Sequence, residues 1–255
     1  MSSIPKILKL KDYVTLTGTT CGIVALICAT LGGLGFISLG FFLCSITLGT
    51  DLLDGYLARK MGTINEMGKE LDSLSDSLTF GIAPSALTFQ AFRTGTAFDF
   101  LLGVGCICFA LGAILRLARF NISENPGYTG VPTPLSGLFL INFFYANYFF
   151  IYAYDITVLP FYSTVLIVIL MILFGWFNIT TYIHYGEKGR KIYAIFLIFA
   201  PLCPIFSILG LINSFYPNFY LSIGIGIFFL GACIAEIVFI VSGFILKARE
   251  SKIKS

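Results

Sequence analysis

Charged side chains are missing from four long stretches of the chain: 38 residues from 13 to 50, 30 from 125 to 154, 31 from 156 to 186 and 44 from 192 to 235. A helix needs about 20 residues to cross the ~30 Å of bilayer hydrocarbon, so several of these stretches are long enough for two passes. Breaks at Gly32 to Gly35, Thr94 to Gly95, Ser123 to Pro134, Asp155 to Pro160, Asn178 to Lys191 and Asn213 to Asn218 divide the chain further, as does the charged turn after Arg59. The division predicts eight spans, at 13–31, 34–59, 66–93, 98–120, 135–154, 158–177, 192–213 and 219–246. The expected fold is therefore an all-α polytopic membrane protein. A single transmembrane domain, 13–246, lies between an N-terminal segment, 1–12, and a tail, 247–255.

Composition agrees, with 57% hydrophobic residues, 11% charged and a mean hydropathy of +0.92, where a soluble domain carries about 25% charged residues. The net charge of +3 is small, and no basic run carries interleaved aromatics, so no nucleic-acid partner is expected. Seven cysteines stand in apolar surroundings without a C-x-x-C, beside one histidine, His184; they read as reduced, small apolar side chains. With a cytoplasmic N-terminus, 15 of the 16 Lys and Arg residues fall on the inside and only Arg93 falls outside. The positive-inside rule therefore places both termini in the cytoplasm. The apolar run after Lys6, Lys9 and Lys11 is too long for a signal peptide, so the first span is expected to remain. Lys6 to Lys11 reads either as a short interfacial helix or as a frayed topogenic tail.

Acids inside a membrane are costly and usually functional, and here they cluster. Asp51 and Asp54 sit near the cytoplasmic end of the second span, Asp72 and Asp76 near the start of the third. At ~1.5 Å per residue the two pairs meet at similar depth. Rotation by about 100° per residue puts Asp51, Asp54, Gly55 and Ala58 on one face, and Gly68, Asp72 and Asp76 on another, while Glu66 and Glu70 point elsewhere. Four converging carboxylates would repel one another and protonate unless a cation joined them. Oxygen ligands of this kind suit Mg²⁺, Mn²⁺ or Ca²⁺, as one ion or two. Gly55, Ala58 and Gly68 read either as small residues for helix packing or as space for a ligand. Arg59 reads either as a phosphate contact or as a topology signal.

The run Asp51-x-x-Asp54-Gly55-x-x-Ala58-Arg59, then eight residues, then Gly68-x-x-x-Asp72-x-x-x-Asp76 resembles the signature of the CDP-alcohol phosphotransferase family. The resemblance implies an integral membrane enzyme with a six-helix core, usually a homodimer, that moves a substituted phosphoryl group from a CDP-linked lipid to an alcohol and releases CMP. It further implies that Gly55, Ala58, Arg59 and Gly68 line the CDP-lipid site, that the four aspartates hold two Mg²⁺ or Mn²⁺ ions, and that Asp76 is the catalytic base. Asp72-Ser-Leu-Ser-Asp76, Phe80-Gly-Ile-Ala-Pro84, Arg116-Leu-Ala-Arg119-Phe-Asn121 and Gly130-Val-Pro-Thr-Pro-Leu-Ser-Gly137 resemble the phosphatidylserine synthase branch. That points to L-serine as acceptor and to CDP-diacylglycerol or CDP-archaeol as donor, with glycerol phosphate or inositol phosphate as alternative acceptors. Gly18 departs from the family, whose members tend to have asparagine there.

Serine's carboxylate needs a cationic partner, and the planar fork of arginine suits it. Arg116 and Arg119, with Asn121 close behind, are the candidates, and a Gly130 to Gly137 loop fixed by two prolines could cover them. Both arginines read equally as topology-setting charges at a helix end. Glu236, alone in a long uncharged run, is expected to face the bundle as a buried polar link. A cation transporter is the rival class, but the acids lie on one side of the membrane and no inverted repeat is visible.

Overall fold

The computed structural model describes residues 8–61, 66–123, 128–156, 158–185, 204–205, 208–209 and 218–254. Among the described residues eight α-helices dominate: α1 (Leu10–Leu31), α2 (Leu34–Met61), α3 (Glu66–Asp76), α4 (Ala83–Phe92), α5 (Phe98–Ile122), α6 (Thr133–Ala153), α7 (Phe161–Ile179) and α8 (Phe219–Lys254). A π-helical turn, Ser77–Ile82, joins α3 to α4 without a break. Two short strands, β1 (Tyr128–Thr129) and β2 (His184–Tyr185), pair antiparallel, with Thr129 opposite His184. Six helices, α1, α2, α5, α6, α7 and α8, are long and apolar enough to cross a membrane. The chain is an all-α, multi-pass membrane protein.

The expected third span, 66–93, forms as the continuous run α3, π-turn, α4 rather than as one uniform helix. Pro84 in the first turn of α4 explains the change, since it has no N–H to donate and its ring crowds the carbonyl four residues back, that of Phe80. The backbone widens by one residue, and the Ala83 N–H reaches back to the Leu78 carbonyl. The expected seventh span, 192–213, lies outside the described residues except for 204–205 and 208–209, and of the segment Lys6 to Lys11 only residues 8–11 are described. Helix α1 begins at Leu10, and the Asp12 carboxylate accepts from the Lys9 N–H at 2.7 Å, satisfying one of the free donors at the helix start. The six described cysteines are free thiols.

Helix α6 is the central post. It is apolar on every side, which is what burial on every side demands, and it is buried almost along its whole length. Its aromatic rings lock the neighbours: Phe144 stacks on Phe41 of α2 at 4.5 Å and Phe139 on Phe174 of α7 at 4.3 Å. The Tyr145 hydroxyl donates to the Ser38 carbonyl at 2.7 Å, and Asn142 donates to Glu236 of α8 at 3.1 Å. Glu236 is 1% exposed, so it does face the bundle as a link between helices. In hydrocarbon, packing and such polar links hold helices together because lipid tails are as apolar as leucine.

Helices α5 and α7 approach most closely where two glycines meet. A Cβ on Gly112 would lie 2.4 Å from the Gly175 carbonyl oxygen, and one on Gly175 would lie 2.5 Å from that of Cys108. Gly137 does the same for α6, where a Cβ would lie 2.8 Å from the carbonyl oxygen of Phe80 in the π-turn. These three contacts fix how the end of α5, the start of α6 and the end of α7 stand against one another and against the run that carries Asp72 and Asp76.

Candidate active site

Asp51, Asp72 and Asp76 come together, each offering a carboxylate oxygen within 4.8 Å of the other two. All three are half-buried. The convergence follows from helical spacing: Thr47, Thr50 and Asp51 share one face of α2, and Asp72, Ser75, Asp76 and Thr79 recur at intervals of three and four along α3 and the π-turn. Helix α1 closes the third side, with Thr19 donating to Ser75 at 2.9 Å. The resulting pocket is lined by Thr15, Thr47, Thr50, Asp51, Asp72, Ser75, Asp76, Thr79 and Phe80, and encloses about 10 Å³ of free space, room for one water-sized occupant.

Like charges at this separation repel by about 3–4 kcal/mol per pair at an effective dielectric near 20, a cost that a cation among them would offset. The donor set fits one. Every charged ligand is a carboxylate, and the Thr47 and Thr50 hydroxyls donate to the Cys44 and Thr47 carbonyls of their own helix at 2.6 and 3.0 Å, which leaves their oxygens as acceptors. A wall of oxygen acceptors suits a hard divalent ion. The threonines and Ser75 were not singled out from sequence, although their spacing from Asp51 and Asp72 carries the signal.

Asp54, Gly55, Ala58 and Arg59 belong to α2, but their side chains lie outside the described residues. Gly68 is buried in α3. Glu66 and Glu70 are exposed and take no part in the three-aspartate cluster. At Gly18 of α1, a Cβ would lie 2.5 Å from Thr50 Oγ1, so the space an asparagine would need is held by the Thr50 side chain, one residue before Asp51.

The second group of candidates sits where α5 and α7 end and α6 begins. Arg116 is 6% exposed, donates to Thr133 Oγ1 at 3.1 Å and lies over the Phe120 ring at 5.7 Å. Arg119 turns to backbone carbonyls, donating to Thr129 at 2.8 Å and Asn178 at 3.2 Å as well as to Ile179. The last two are end-of-helix carbonyls of α7 that have no partner within their own helix. Asn121 bridges α5 to α3: its side-chain oxygen accepts from Ser73 at 3.1 Å, its amide donates to Glu70 at 3.4 Å, and its carbonyl accepts from Lys69 at 2.9 Å. Arg116 is thus held inside the bundle, while Arg119 and Asn121 fasten neighbouring segments.

The stretch from Gly130 to Gly137 is a loop only as far as Pro132, because Thr133 already begins α6 with Pro134 in its first turn. Gly130 is required twice over: its φ is +79°, and a Cβ would lie 2.3 Å from the Asn178 carbonyl oxygen. Beside this loop Tyr185 stacks on Phe239 of α8 at 4.5 Å, and burial pushes its phenol above the ordinary tyrosine range. Sequence reasoning passed over Asn178 and Ser136, which meet here at 2.5 Å.

The family model described as CDP-alcohol phosphatidyltransferase matches residues 9–187. Among similar proteins, one from Methanocaldococcus jannaschii named CDP-diacylglycerol–serine O-phosphatidyltransferase is 38% identical over 143 residues, 56% of this chain and 64% of that protein. A protein of the same name from Bacillus subtilis is 37% identical over 109 residues, 42% of this chain and 56% of its own length. The archaetidylserine synthase of Methanothermobacter thermautotrophicus is 30% identical over 150 residues, 57% and 62% of the two chains. The chain thus spans 56–64% of the length of these relatives.

Proposed function

The chain belongs to the CDP-alcohol phosphatidyltransferase family, and on that premise we propose that it transfers the phosphatidyl-type group of a CDP-linked lipid to the hydroxyl of L-serine, releasing CMP. The observation that carries this reading is the convergence of Asp51, Asp72 and Asp76 on one small acceptor-lined pocket. The names of the relatives favour serine over glycerol phosphate or inositol phosphate, and they include both diacylglycerol and archaeal lipid donors.

In this reading Asp51, Asp54, Asp72 and Asp76 hold Mg²⁺ or Mn²⁺, one ion or two. A metal held there would supply the charge that offsets the pyrophosphate and the departing CMP. Asp76 accepts the proton of the serine hydroxyl as its oxygen attacks the phosphorus that carries the lipid. A new P–O bond to serine forms, the bridging P–O bond breaks, and its electron pair departs with CMP. No protein nucleophile is needed. Gly55, Ala58, Arg59 and Gly68 line the path of the nucleotide and its phosphates, and Arg116 supplies positive charge for the serine carboxylate. The site opens to the cytoplasm with both termini on that side, residues 13–246 form one catalytic domain, and the working unit is a homodimer.

The test is product identification. Purified protein in mixed micelles receives CDP-diacylglycerol or CDP-archaeol, divalent metal, and serine, glycerol phosphate or inositol phosphate, and the lipid product is weighed by mass spectrometry. A phosphatidylserine-type product formed only with serine is expected. A product formed with another acceptor and none with serine would overturn the assignment.

A further inference from the structure

We infer that Asn178, at the end of α7, is a specificity-determining residue for the acceptor: its side-chain amide donates to the acceptor's carboxylate beside the Arg116 guanidinium. The inference rests on the serine-transfer reading above and adds a residue that lies outside every motif identified in the sequence.

Asn178 is fully buried. Its side-chain oxygen accepts from Ser136 at 2.5 Å, yet its Nδ2 is buried with no hydrogen-bond partner. Buried amide donors are nearly always satisfied, so an orphan one needs a reason. The packing puts it next to Arg116. Helices α5 and α7 touch backbone to backbone at Gly112 and Gly175, and Arg116 and Asn178 follow those glycines by four and three residues, one helical turn further toward the same end. On α6 the partners of the two side chains, Thr133 and Ser136, are also one turn apart and share a face. The Arg116 guanidinium and the unsatisfied Asn178 amide, both donors and both buried, are thus anchored one helical turn apart on the same face of α6. That is the chemistry of a carboxylate site.

The location suits an acceptor. Gly137, next to Ser136, lies against the backbone of Phe80, and Phe80 lines the pocket of Asp51, Asp72 and Asp76. Phe80, fully buried, stands between the polar cluster and the carboxylates. In the inferred complex the acceptor reaches past Phe80, with its hydroxyl toward Asp76 and its carboxylate toward Arg116 and Asn178. An acceptor without a carboxylate would leave the Asn178 amide unpaired, which is how buried polar groups reject near-isosteres.

The experiment compares Asn178→Asp, which keeps an oxygen to accept from Ser136 but loses both N–H donors, with Ser136→Ala, which removes the tether and leaves the amide. Asn178→Ala is assayed alongside in case the aspartate variant does not fold. Full-length proteins are given CDP-diacylglycerol and divalent metal, and KM for serine, KM for the CDP-lipid and kcat are measured, with L-serinamide as the acceptor that lacks the carboxylate. The expected result is a serine KM raised roughly 10- to 100-fold in the Asn178 variants, with an unchanged CDP-lipid KM and a collapsed preference for serine over serinamide. Ser136→Ala, which frees the amide but keeps its donors, should raise the serine KM less than the Asn178 variants do and preserve the preference for serine over serinamide. An unchanged serine KM in the Asn178 variants, or an equal rise in Ser136→Ala, would overturn the inference and leave Asn178 a helix tether. A wild type that makes no product from serine would instead strike the reading beneath it.

Discussion

Replacing Gly112 with alanine puts a methyl carbon 2.4 Å from the Gly175 carbonyl oxygen, 2.7 Å from its Cα and 2.9 Å from its carbonyl carbon. Ordinary contact begins near 3.4 Å, and all three atoms are backbone, so no rotamer change relieves the clash. Helices α5 and α7 must separate by about 1 Å at their crossing. Overpacking of this kind costs about 1–3 kcal/mol, offset by the ~0.5–1 kcal/mol that alanine gains over glycine inside a helix. The net expectation is a loss of about 1–2 kcal/mol. Function should suffer more than stability, because Arg116 and Asn178 lie one turn beyond the crossing and a displacement of about 1 Å at a binding group can cost on the order of 100-fold. Gly231→Ala is the control: Gly231 is exposed on α8 with no neighbour within 4 Å of a built Cβ, so it should be neutral or slightly stabilising. Unfolding in detergent, followed by thiol reactivity of the buried cysteines, gives the stability difference, and the serine KM gives the functional one. A Gly112→Ala protein as stable as Gly231→Ala, with a normal serine KM, would refute the reasoning.

Glu236→Gln keeps a hydrogen-bonding partner for Asn142 and should retain most activity, whereas Glu236→Leu should lower stability by about 1–3 kcal/mol by leaving the buried Asn142 amide without its acceptor; unfolding and CMP-release assays read both. Arg119→Lys loses the fork that spans the Thr129, Asn178 and Ile179 carbonyls, and should lower the unfolding midpoint with a smaller effect on serine KM. Arg116→Lys should do the reverse, raising serine KM strongly while leaving CDP-lipid KM nearly unchanged, and identical behaviour of the two variants would contradict their separate placements.

Much of this architecture could be read from the spacing of charges. The gaps between Asp12 and Asp51, and from 125 to 154, mark helices because a bilayer admits few other backbones. Asp51, Asp72 and Asp76 could be placed on converging faces because helical rotation is regular over one or two turns. What escaped was set by contacts between distant segments. The π-turn arises where Pro84 meets the packing of Phe80 against Gly137, and a 3.6-residue period does not anticipate the extra residue. Arg119 reads as a ligand in sequence because nothing local reveals that the last carbonyls of α7, some 60 residues away, need donors. Asn178 stands in a stretch that looked like a helix end followed by a loop, and its side chain acquires meaning only when Gly112 meets Gly175. Thr47 and Thr50 were legible in principle, since their spacing from Asp51 puts them on its face, but threonines in an apolar helix are common enough to pass as packing.

The most direct test of the central claim is the rate of CMP release from CDP-lipid on addition of serine, measured with Mg²⁺ or Mn²⁺, after chelation, and in Asp51→Asn, Asp72→Asn and Asp76→Asn proteins whose helicity is unchanged. Carboxylates that hold metal together would act as a unit, so the expected result is release that requires metal and falls by at least about 100-fold in each variant, while Glu70→Gln, on the exposed face of α3, stays near wild type. Release that continues undiminished in chelator, or a normal rate in Asp72→Asn at saturating metal, would contradict the claim that Asp51, Asp72 and Asp76 form the metal-holding centre of the reaction.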